Sequence, residues 1–249
     1  MCVRDIHSHI LPGVDDGSHD VSESLDMLRA AADAGVQSIV CTPHCRFPYF
    51  DYDAMWEAFY VLVDAAEECG LAYEGGTDPI SLPENERGTT PISLQMGFEV
   101  NFETLLHLGL DWIDLLAFDA ETAGSQAPTG VREFLLELPC TQITERSFAR
   151  YLRLIGILQE KGYEVIIAHP ERIRGILQGS YAERLVDAGC KLQLSADYRD
   201  GGRLGNSKEA AQGLLSSGLA SYLASDAHYS AHYEQLRLAW EESGDQLRV

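Results

Sequence analysis

The chain has no long hydrophobic run, and this absence restricts where it works. No apolar stretch in its 249 residues approaches the roughly 20 residues that a membrane-spanning helix needs. Its first residues also lack the basic and apolar regions of a secretory signal peptide. We therefore expect a cytoplasmic protein that does not insert into a membrane.

Basic residues are also scarce, because 18 lysines and arginines stand against 39 acidic residues, for a net charge of −21. Non-specific binding to nucleic acid or to an anionic membrane needs clustered basic side chains. The composition therefore argues against both partners. The same charge would repel an anionic substrate unless bound divalent cations reversed the field at the site.

Disulfide and zinc-ribbon spacings are missing from the six cysteines, which fits a reducing compartment. One segment, from Cys140 to Arg146, does match the Cys-x5-Arg spacing of cysteine-dependent phosphatases. However, Pro139 precedes the cysteine, the loop contains no glycine, and Glu145 places negative charge where phosphate should bind. We therefore do not expect a cysteine nucleophile.

A unit of helix, glycine, short apolar strand and polar residues occurs four times. Its strands end at His44, at His169, at Ser195 with Asp197, and at Asp226. Alternation of this kind predicts an α/β fold with a parallel sheet. Because each polar cluster falls at the carboxyl end of its strand, we predict a TIM-like barrel rather than an open doubly wound sheet.

We expect a single domain over residues 1–249, with a long decorated connection at about 71–132. Within it, residues 75–91 and 123–130 read as loops, residues 92–100 as a strand ending at Glu99, and residues 102–116 as partly helical. Residues 134–137 then form a buried strand that carries Glu137. We predict that the connection forms a rim or lid over the site.

His7 and His9 are the first candidate metal ligands. They are two residues apart in an extended run, so both imidazoles point to the same face. Asp16 follows in a tight turn and is a third candidate, whereas we interpret Asp15 as a residue that caps the turn before Gly17.

Other candidate ligands share a position at the end of an apolar run. They are His44, Glu99, Glu137, His169, Asp226 and His228. A buried carboxylate there is costly unless it is paired or bound to a cation. Together with the first three, five histidines and four carboxylates are too many for one ion and suit two or three. Mixed imidazole and carboxylate ligation favours Mn, Fe or Zn over Ca or Mg.

Arg172 lies three residues after His169 and is well placed to bind an anionic oxygen, and the alternative is a salt bridge to the abundant acid around it. We take Arg172, Asp226 and His228 as the candidate catalytic residues. Clustered metal ions with such an arginine suit the hydrolysis of a phosphomonoester.

The combined motifs resemble the PHP (polymerase and histidinol phosphatase) superfamily. Within it they are most similar to the bacterial manganese-dependent protein tyrosine phosphatases of capsule and exopolysaccharide biosynthesis. The resemblance is carried by residues 5–17, Thr42-Pro43-His44, Leu136-Glu137, residues 168–172 and Ser225-Asp226-Ala227-His228. It covers the chain from its first residues to about residue 230.

This resemblance implies a distorted TIM-like (β/α)7 barrel of the PHP type, with divalent ions at its mouth, most often Mn²⁺. It implies the same nine ligands and gives Arg172 a phosphate-contacting role. The implied substrate is phosphotyrosine on a cognate tyrosine kinase. The chain departs from the family where a second arginine usually follows the Asp-x-His motif, because residues 229–234 contain none and Arg237 lies further along. Residues 71–132 also match the family poorly.

Two alternatives remain open from the sequence. One is a small-molecule phosphatase of the same superfamily, of the histidinol-phosphate type. The other is a catalytically silent metal-binding module that regulates a polysaccharide-assembly partner. The native metal, the cognate protein and the oligomeric state are left open as well.

Overall fold

Strands and helices alternate along the chain in a computed structural model, which describes residues 3–48, 50–75, 90–122, 125–203, 205, 207–243 and 247. The strands are β1 (Val3–Ser8), β2 (Val36–Cys41), β3 (His44–Cys45), β4 (Ala72–Glu74), β5 (Ile92–Met96), β6 (Glu99–Asn101), β7 (Phe118–Thr122), β8 (Ser125–Glu137), β9 (Tyr163–Ala168), β10 (Lys191–Ser195) and β11 (Tyr222–Ala224). The helices are α1 (Val21–Asp33), α2 (Tyr52–Glu68), α3 (Phe102–Leu108), α4 (Ile113–Leu116), α5 (Glu145–Glu160), α6 (Tyr181–Asp187), α7 (Lys208–Ser216) and α8 (Ala231–Ser243). Among these described helices, none is long and apolar enough to cross a bilayer.

Local capping explains where α1 and α5 begin. The Asp20 side chain accepts a hydrogen bond from the Glu23 backbone N–H at 3.0 Å and so starts α1. Thr144 and Ser147 form a reciprocal capping box at the start of α5. The apolar residues of α5 then recur every three or four positions, which gives the helix one buried face.

The strands pair in parallel, apart from β7, which is antiparallel to β8. One run of paired strands has the order β1-β2-β5-β4, and a second has the order β11-β10-β9-β8-β6-β3. Two residues separate β2 from β3, and two separate β5 from β6. Backbone hydrogen bonds cross both interruptions, from Gly97 to Cys41 at 2.9 Å and from Glu99 to Pro43 at 3.2 Å. The two runs are therefore joined through these interrupted strands.

The outer strands of the two runs also meet. Ser8 and Ala227 form an isolated parallel bridge. The His9 N–H donates to the Ala227 carbonyl at 2.9 Å, and the Asp226 N–H donates to the His7 carbonyl at 2.8 Å. The parallel sheet is thus curled, and the protein has the mixed α/β fold that the sequence predicted.

Apolar residues form two buried clusters. The smaller one comes entirely from strands β1, β2, β7, β8, β9 and β11, and includes Ile6, Val40, Leu135 and Ile166. The larger one packs the helices against the strands. Because strand residues are buried in both clusters, the sheet is covered on both faces, as expected for a parallel sheet.

The segment at 71–132 differs from its prediction. The strand predicted over residues 92–100 is divided at Gly97, where an added Cβ would lie 2.6 Å from a Val40 methyl group, so the chain passes too close for a side chain. Residues 125–130, predicted as a loop, extend β8, because they pair with β7. Helical structure over residues 102–116 is confirmed. Residues 76–89 and 123–124 of the predicted loops lie outside the described part of the chain.

Strands β4, β5 and β6 of this segment belong to the parallel sheet. Part of the predicted connection therefore belongs to the sheet. Its strand β6 positions Glu99 beside His44 on β3. The single-domain organisation stays a prediction.

Candidate metal centre

All nine predicted ligands lie together in one cluster. They form four overlapping groups whose ligand atoms are within 4.8 Å of one another: His9, Asp16, His44 and His228; His7, His169 and Asp226; His7, His9 and Glu99; Glu99, Glu137 and His169. Most of these side chains are buried, whereas Asp16 is 54% exposed. The site therefore has a buried inner part and a rim open to solvent.

The imidazoles of His7 and His9 face each other in the inner part, with their Nε2 atoms 3.2 Å apart. His7 Nδ1 lies 2.9 Å from Gln193 Oε1, and the Gln193 amide is oriented because its Nε2 donates to the Leu194 carbonyl at 2.8 Å. His9 Nδ1 lies 2.8 Å from Asp15 Oδ2. Both Nδ1 atoms are therefore the donors, so the two Nε2 atoms face one point that a proton or a cation can occupy.

Glu99 lies among four histidines. Its Oε1 is 2.6 Å from His169 Nε2, and its Oε2 is 2.5 Å from His44 Nδ1 and 3.6 Å from both His7 Nε2 and His9 Nε2. β6 places the carboxylate there, since Glu99 is the register partner of His44 on β3.

Asp226 is held in place by its backbone. Asp226 has φ 48° and His169 has φ 31°, so both adopt the left-handed conformation that residues other than glycine rarely adopt. Before Asp226, the Ser225 hydroxyl donates to buried Asp5 at 2.5 Å, which fixes the loop on β1. Asp226 Oδ1 then lies 3.2 Å from His9 Nε2 and 3.4 Å from His7 Nε2.

The rim is formed by Asp16, His44 and His228. Asp16 Oδ1 is 3.1 Å from His44 Nε2 and 3.3 Å from His228 Nε2. Arg203 contacts the same group, because its Nη2 donates to Asp16 Oδ2 at 2.8 Å and its Nη1 lies 2.6 Å from His228 Nε2.

Glu137 lies at the opposite side of the cluster and is paired with other side chains. Arg46 Nη2 donates to both of its oxygens, at 2.7 and 2.9 Å, and Asn101 Nδ2 donates to Oε2 at 2.9 Å. Both Glu137 oxygens therefore have protein partners, although Glu137 still shares a group with Glu99 and His169.

Arg172 is buried next to the cluster. Its Nη2 donates to Asp226 Oδ2 at 2.5 Å, to Asp197 Oδ2 at 3.1 Å and to Ser195 Oγ at 3.1 Å. Burial lowers the pKa of Arg172, but the Asp226 and Asp197 carboxylates outweigh burial and raise it above its usual value. The predicted salt bridge is thus present, and the buried Nε atom has no hydrogen-bond partner.

Opposite charges shift the pKa values of the inner groups in opposite directions. Burial lowers the pKa of His7, but the Asp226 and Glu99 carboxylates outweigh it and raise the pKa to about 9. In the same way the Glu99 carboxylate raises the pKa of His44 to about 11 against burial. Burial raises the pKa of Asp226, but the Arg172 and His7 charges outweigh it and hold the pKa well below its usual range. The cluster therefore favours a cation among its carboxylates.

The donor set fits divalent metal ions. Two Nε2 lone pairs 3.2 Å apart repel each other unless a cation or proton lies between them. Buried His169 Nδ1 lacks a hydrogen-bond partner, and Glu99 Oε2 and His44 Nδ1, which lie 2.5 Å apart, are not aligned for a hydrogen bond. Imidazole and carboxylate ligands in this proportion suit Mn, Fe or Zn.

The structure agrees with the rejection of a cysteine nucleophile. Burial raises the pKa of the Cys140 thiol to about 11, whereas a nucleophilic cysteine needs a lowered pKa. Arg146 lies on α5, which begins at Glu145, so the segment forms a helix start rather than a phosphate-binding loop.

Several residues that sequence reasoning did not assign to the site contact the predicted ligands or Arg172. They are Asp15, Arg46, Gln193, Ser195, Asp197 and Arg203. Asp15 does cap the turn at Gly17, at 2.9 Å, but it also orients His9 and accepts from the His44 N–H at 3.0 Å. Ser195 and Asp197 follow a strand as the other site residues do, so the strand-end signal was sufficient to find them. Arg203 carries no such signal.

Comparison with known proteins places this site in a family. A family model for capsular polysaccharide synthesis proteins, CpsB/CapC, matches residues 3–71 and 130–236. CapC of Staphylococcus aureus is 27% identical over 225 residues, which cover 90% of this chain and 76% of that protein. The tyrosine-protein phosphatase YwqE of Bacillus subtilis (strain 168) is 28% identical over 226 residues, with the same coverage of 90% and 76%.

A solved structure gives the same result. It is described as YwqE from Bacillus subtilis and CpsB from Streptococcus pneumoniae, metal-dependent tyrosine phosphatases. It superposes with a TM-score of 0.69 at 25% identity, over 98% of this chain and 89% of that one. The family model omits residues 72–129, which agrees with the poor match predicted for the 71–132 segment. The chain belongs to the CpsB/CapC family of capsular polysaccharide synthesis.

Proposed function

We propose that the protein is a metal-dependent protein tyrosine phosphatase. The main support is that nine side chains suited to metal binding lie together with the buried Arg172, in a chain of the CpsB/CapC family. The tyrosine phosphatase activity named for its relatives agrees with this chemistry.

We infer two or three divalent ions, most often Mn²⁺, held by the nine residues of the four ligand groups. When bound, such ions supply a nucleophile at neutral pH and neutralise phosphoryl oxygens. Arg172 would donate to a phosphoryl oxygen through its unpartnered Nε. Asp226 and His228 act at the same place, Asp226 by holding Arg172 and His228 as a ligand on the rim.

We infer that the fold is the distorted (β/α)7 barrel of the PHP type. If β2 with β3 and β5 with β6 each count as one interrupted strand, the parallel strands in order are β1, β2/β3, β5/β6, β8, β9, β10 and β11. The bridge between Ser8 and Ala227 would close this ring. In this description β4 and antiparallel β7 are additions at its side.

The proposed substrate is phosphotyrosine on a protein, with a tyrosine kinase of polysaccharide biosynthesis as the cognate partner, in the cytoplasm. Support comes from the capsule-synthesis family and from exposed aromatic rings beside the site. Phe47 follows Arg46 and is 42% exposed, and Tyr229 follows His228 and is 56% exposed. Such rings suit an aromatic substrate better than a small polar one.

Phosphate release from a phosphotyrosyl peptide tests the proposal. With Mn²⁺ supplied we expect release, and with a chelator we expect none. Asp226→Ala should be inactive, whereas Arg237→Ala, an exposed arginine that pairs with Glu234 and Glu241 on α8, should match the wild type. Metal-independent release would refute the proposal.

A second substrate separates the alternatives. If the protein hydrolyses histidinol phosphate with a much higher kcat/KM than the peptide, it is a small-molecule phosphatase. If it retains metal but hydrolyses neither ester, it is a silent metal-binding module.

A further inference from the structure

Arg203 lies at the metal centre although no motif in the sequence points to it. It follows β10 in a glycine-rich loop, far in the chain from the Asp-x-His motif that ends at His228. Its side chain is 41% exposed, so the guanidinium lies on the solvent side of the cluster. Arg237, the arginine nearest to that motif, instead pairs with Glu234 and Glu241 on the surface of α8.

The main chain of Arg203 is anchored to the same carboxylate as Arg172. The Arg203 N–H donates to Asp197 Oδ2 at 2.9 Å, and Arg172 Nη2 donates to that oxygen at 3.1 Å. The preceding Gly202 has φ 67°, and its N–H donates to the Asp197 carbonyl at 2.9 Å. The loop therefore fixes where the Arg203 side chain starts, while the guanidinium at its end is partly exposed.

The hydrogen bonds of His228 show which lone pair Arg203 contacts. His228 Nδ1 lies 2.9 Å from the Asp226 carbonyl, which only accepts, so Nδ1 carries the proton. Nε2 then has the single free lone pair, and this lone pair accepts from Arg203 Nη1 at 2.6 Å. His228 would use the same lone pair to bind a metal ion, so the guanidinium and the ion compete for it.

Charge at the site indicates what a released Arg203 would bind. Arg172 is already paired with Asp197 and Asp226, and Arg46 is paired with both oxygens of Glu137. A phosphoryl group carries more negative charge than Arg172 alone compensates. Among the described arginines that contact the cluster, Arg203 is the one that donates to a lone pair needed by a metal ion, the lone pair of His228 Nε2.

We propose that Arg203 is an exchangeable guanidinium, which competes with the metal ion for His228 and Asp16 and turns to the phosphoryl oxygens once the ion is bound. It thereby provides the second phosphate-binding arginine from the loop after β10. This inference rests on the metal binding of the proposed function but not on hydrolysis.

Calorimetric titration of the full chain with Mn²⁺, and then of the Mn²⁺-loaded protein with inorganic phosphate, tests both halves. For Arg203→Ala we expect Mn²⁺ to bind about tenfold more tightly, because a charge-assisted competitor is lost. We expect phosphate to bind about tenfold more weakly, because a contact to the anion is lost. Arg203→Gln should show the same pair of opposite changes, and Arg237→Ala, which removes an equal charge, should show neither.

Each other result overturns the proposal. If both Arg203 variants bind Mn²⁺ no more tightly than the wild type while their thermal unfolding is unchanged, no competition exists. If phosphate affinity of the loaded protein is unchanged, Arg203 does not bind the anion. If the Arg203 variants show both effects but the wild type does not hydrolyse phosphotyrosine, the proposed function is refuted and the role of Arg203 remains.

Discussion

Arg172 donates to Asp226 at 2.5 Å, and the second oxygen of this aspartate lies 3.2 Å from His9 Nε2. One carboxylate thus joins the anion-binding arginine to the imidazoles of the inner cluster. A change at Asp226 therefore alters both the proposed metal ligands and the orientation of Arg172. Because Asp226 is buried, water does not replace the lost contact.

Removing an inner ligand should nearly abolish activity. For His7→Ala and Asp226→Ala we expect kcat/KM for a phosphotyrosyl peptide to fall by more than about a hundredfold, because a ligand of the clustered ions is lost. Cys140→Ser should stay within about twofold of the wild type, since its thiol is not activated. Loss of activity in Cys140→Ser with its metal content unchanged would contradict this account.

Gln193 should control metal affinity without touching the ion. Its Oε1 accepts from His7 Nδ1 at 2.9 Å and so keeps the Nε2 lone pair free. For Gln193→Leu we expect Mn²⁺ affinity to fall about 10- to 100-fold, the usual cost of losing such a partner. Gln159→Leu, which loses a bond to the distant Ala188 carbonyl, serves as the control in the same calorimetric titration. Equal Mn²⁺ affinity in both variants would exclude this role.

Gly17 should tolerate no side chain, because it packs against a ligand. An added Cβ would lie 2.0 Å from the His9 carbonyl oxygen and 2.5 Å from the His9 Cβ, so Gly17→Ala must move His9. We expect the variant to lose bound Mn²⁺, measured as metal content after gel filtration. Gly156→Ala on α5 meets nothing within 4 Å and should raise helix stability by about 1 kcal/mol. Full metal content in Gly17→Ala would show that the displacement of His9 is harmless.

Glu171 should make the metal-free protein less stable at alkaline pH. Burial raises the pKa of this carboxyl from 4.5 to about 8. A raised pKa means that its contribution to stability is fully present below pH 4.5 and is lost as the pH rises through 8. For Glu171→Gln we expect a free energy of unfolding that falls less between pH 5 and 8, by on the order of a few kcal/mol. Urea unfolding with a chelator present measures the free energy of unfolding of both proteins against pH. If both free energies change with pH in the same way, the raised pKa of Glu171 is disproved.

Much of the site was predictable because its signals are local. His7 and His9 are two residues apart in an extended run, and Asp226 and His228 have the same spacing after β11, so the spacing alone predicts two pairs of neighbouring ligands. Glu99 was found for a similar reason, as an acidic residue at the end of an apolar run. The family resemblance derived from these motifs is confirmed by the family model over residues 3–71 and 130–236.

Other features depend on contacts between distant parts of the chain. Arg203 reaches Asp16 across 187 positions, and Gln193 reaches His7 across 186, so no short pattern contains either pair. The division between β5 and β6 likewise follows from the packing of Gly97 against Val40. Local periodicity thus specifies the strands and the residues at their ends. The tertiary structure decides which residues orient the ligands, neutralise their charge or compete with a metal ion for them. These contacts form only when the curled sheet brings the strand ends together, because no single segment contains both partners.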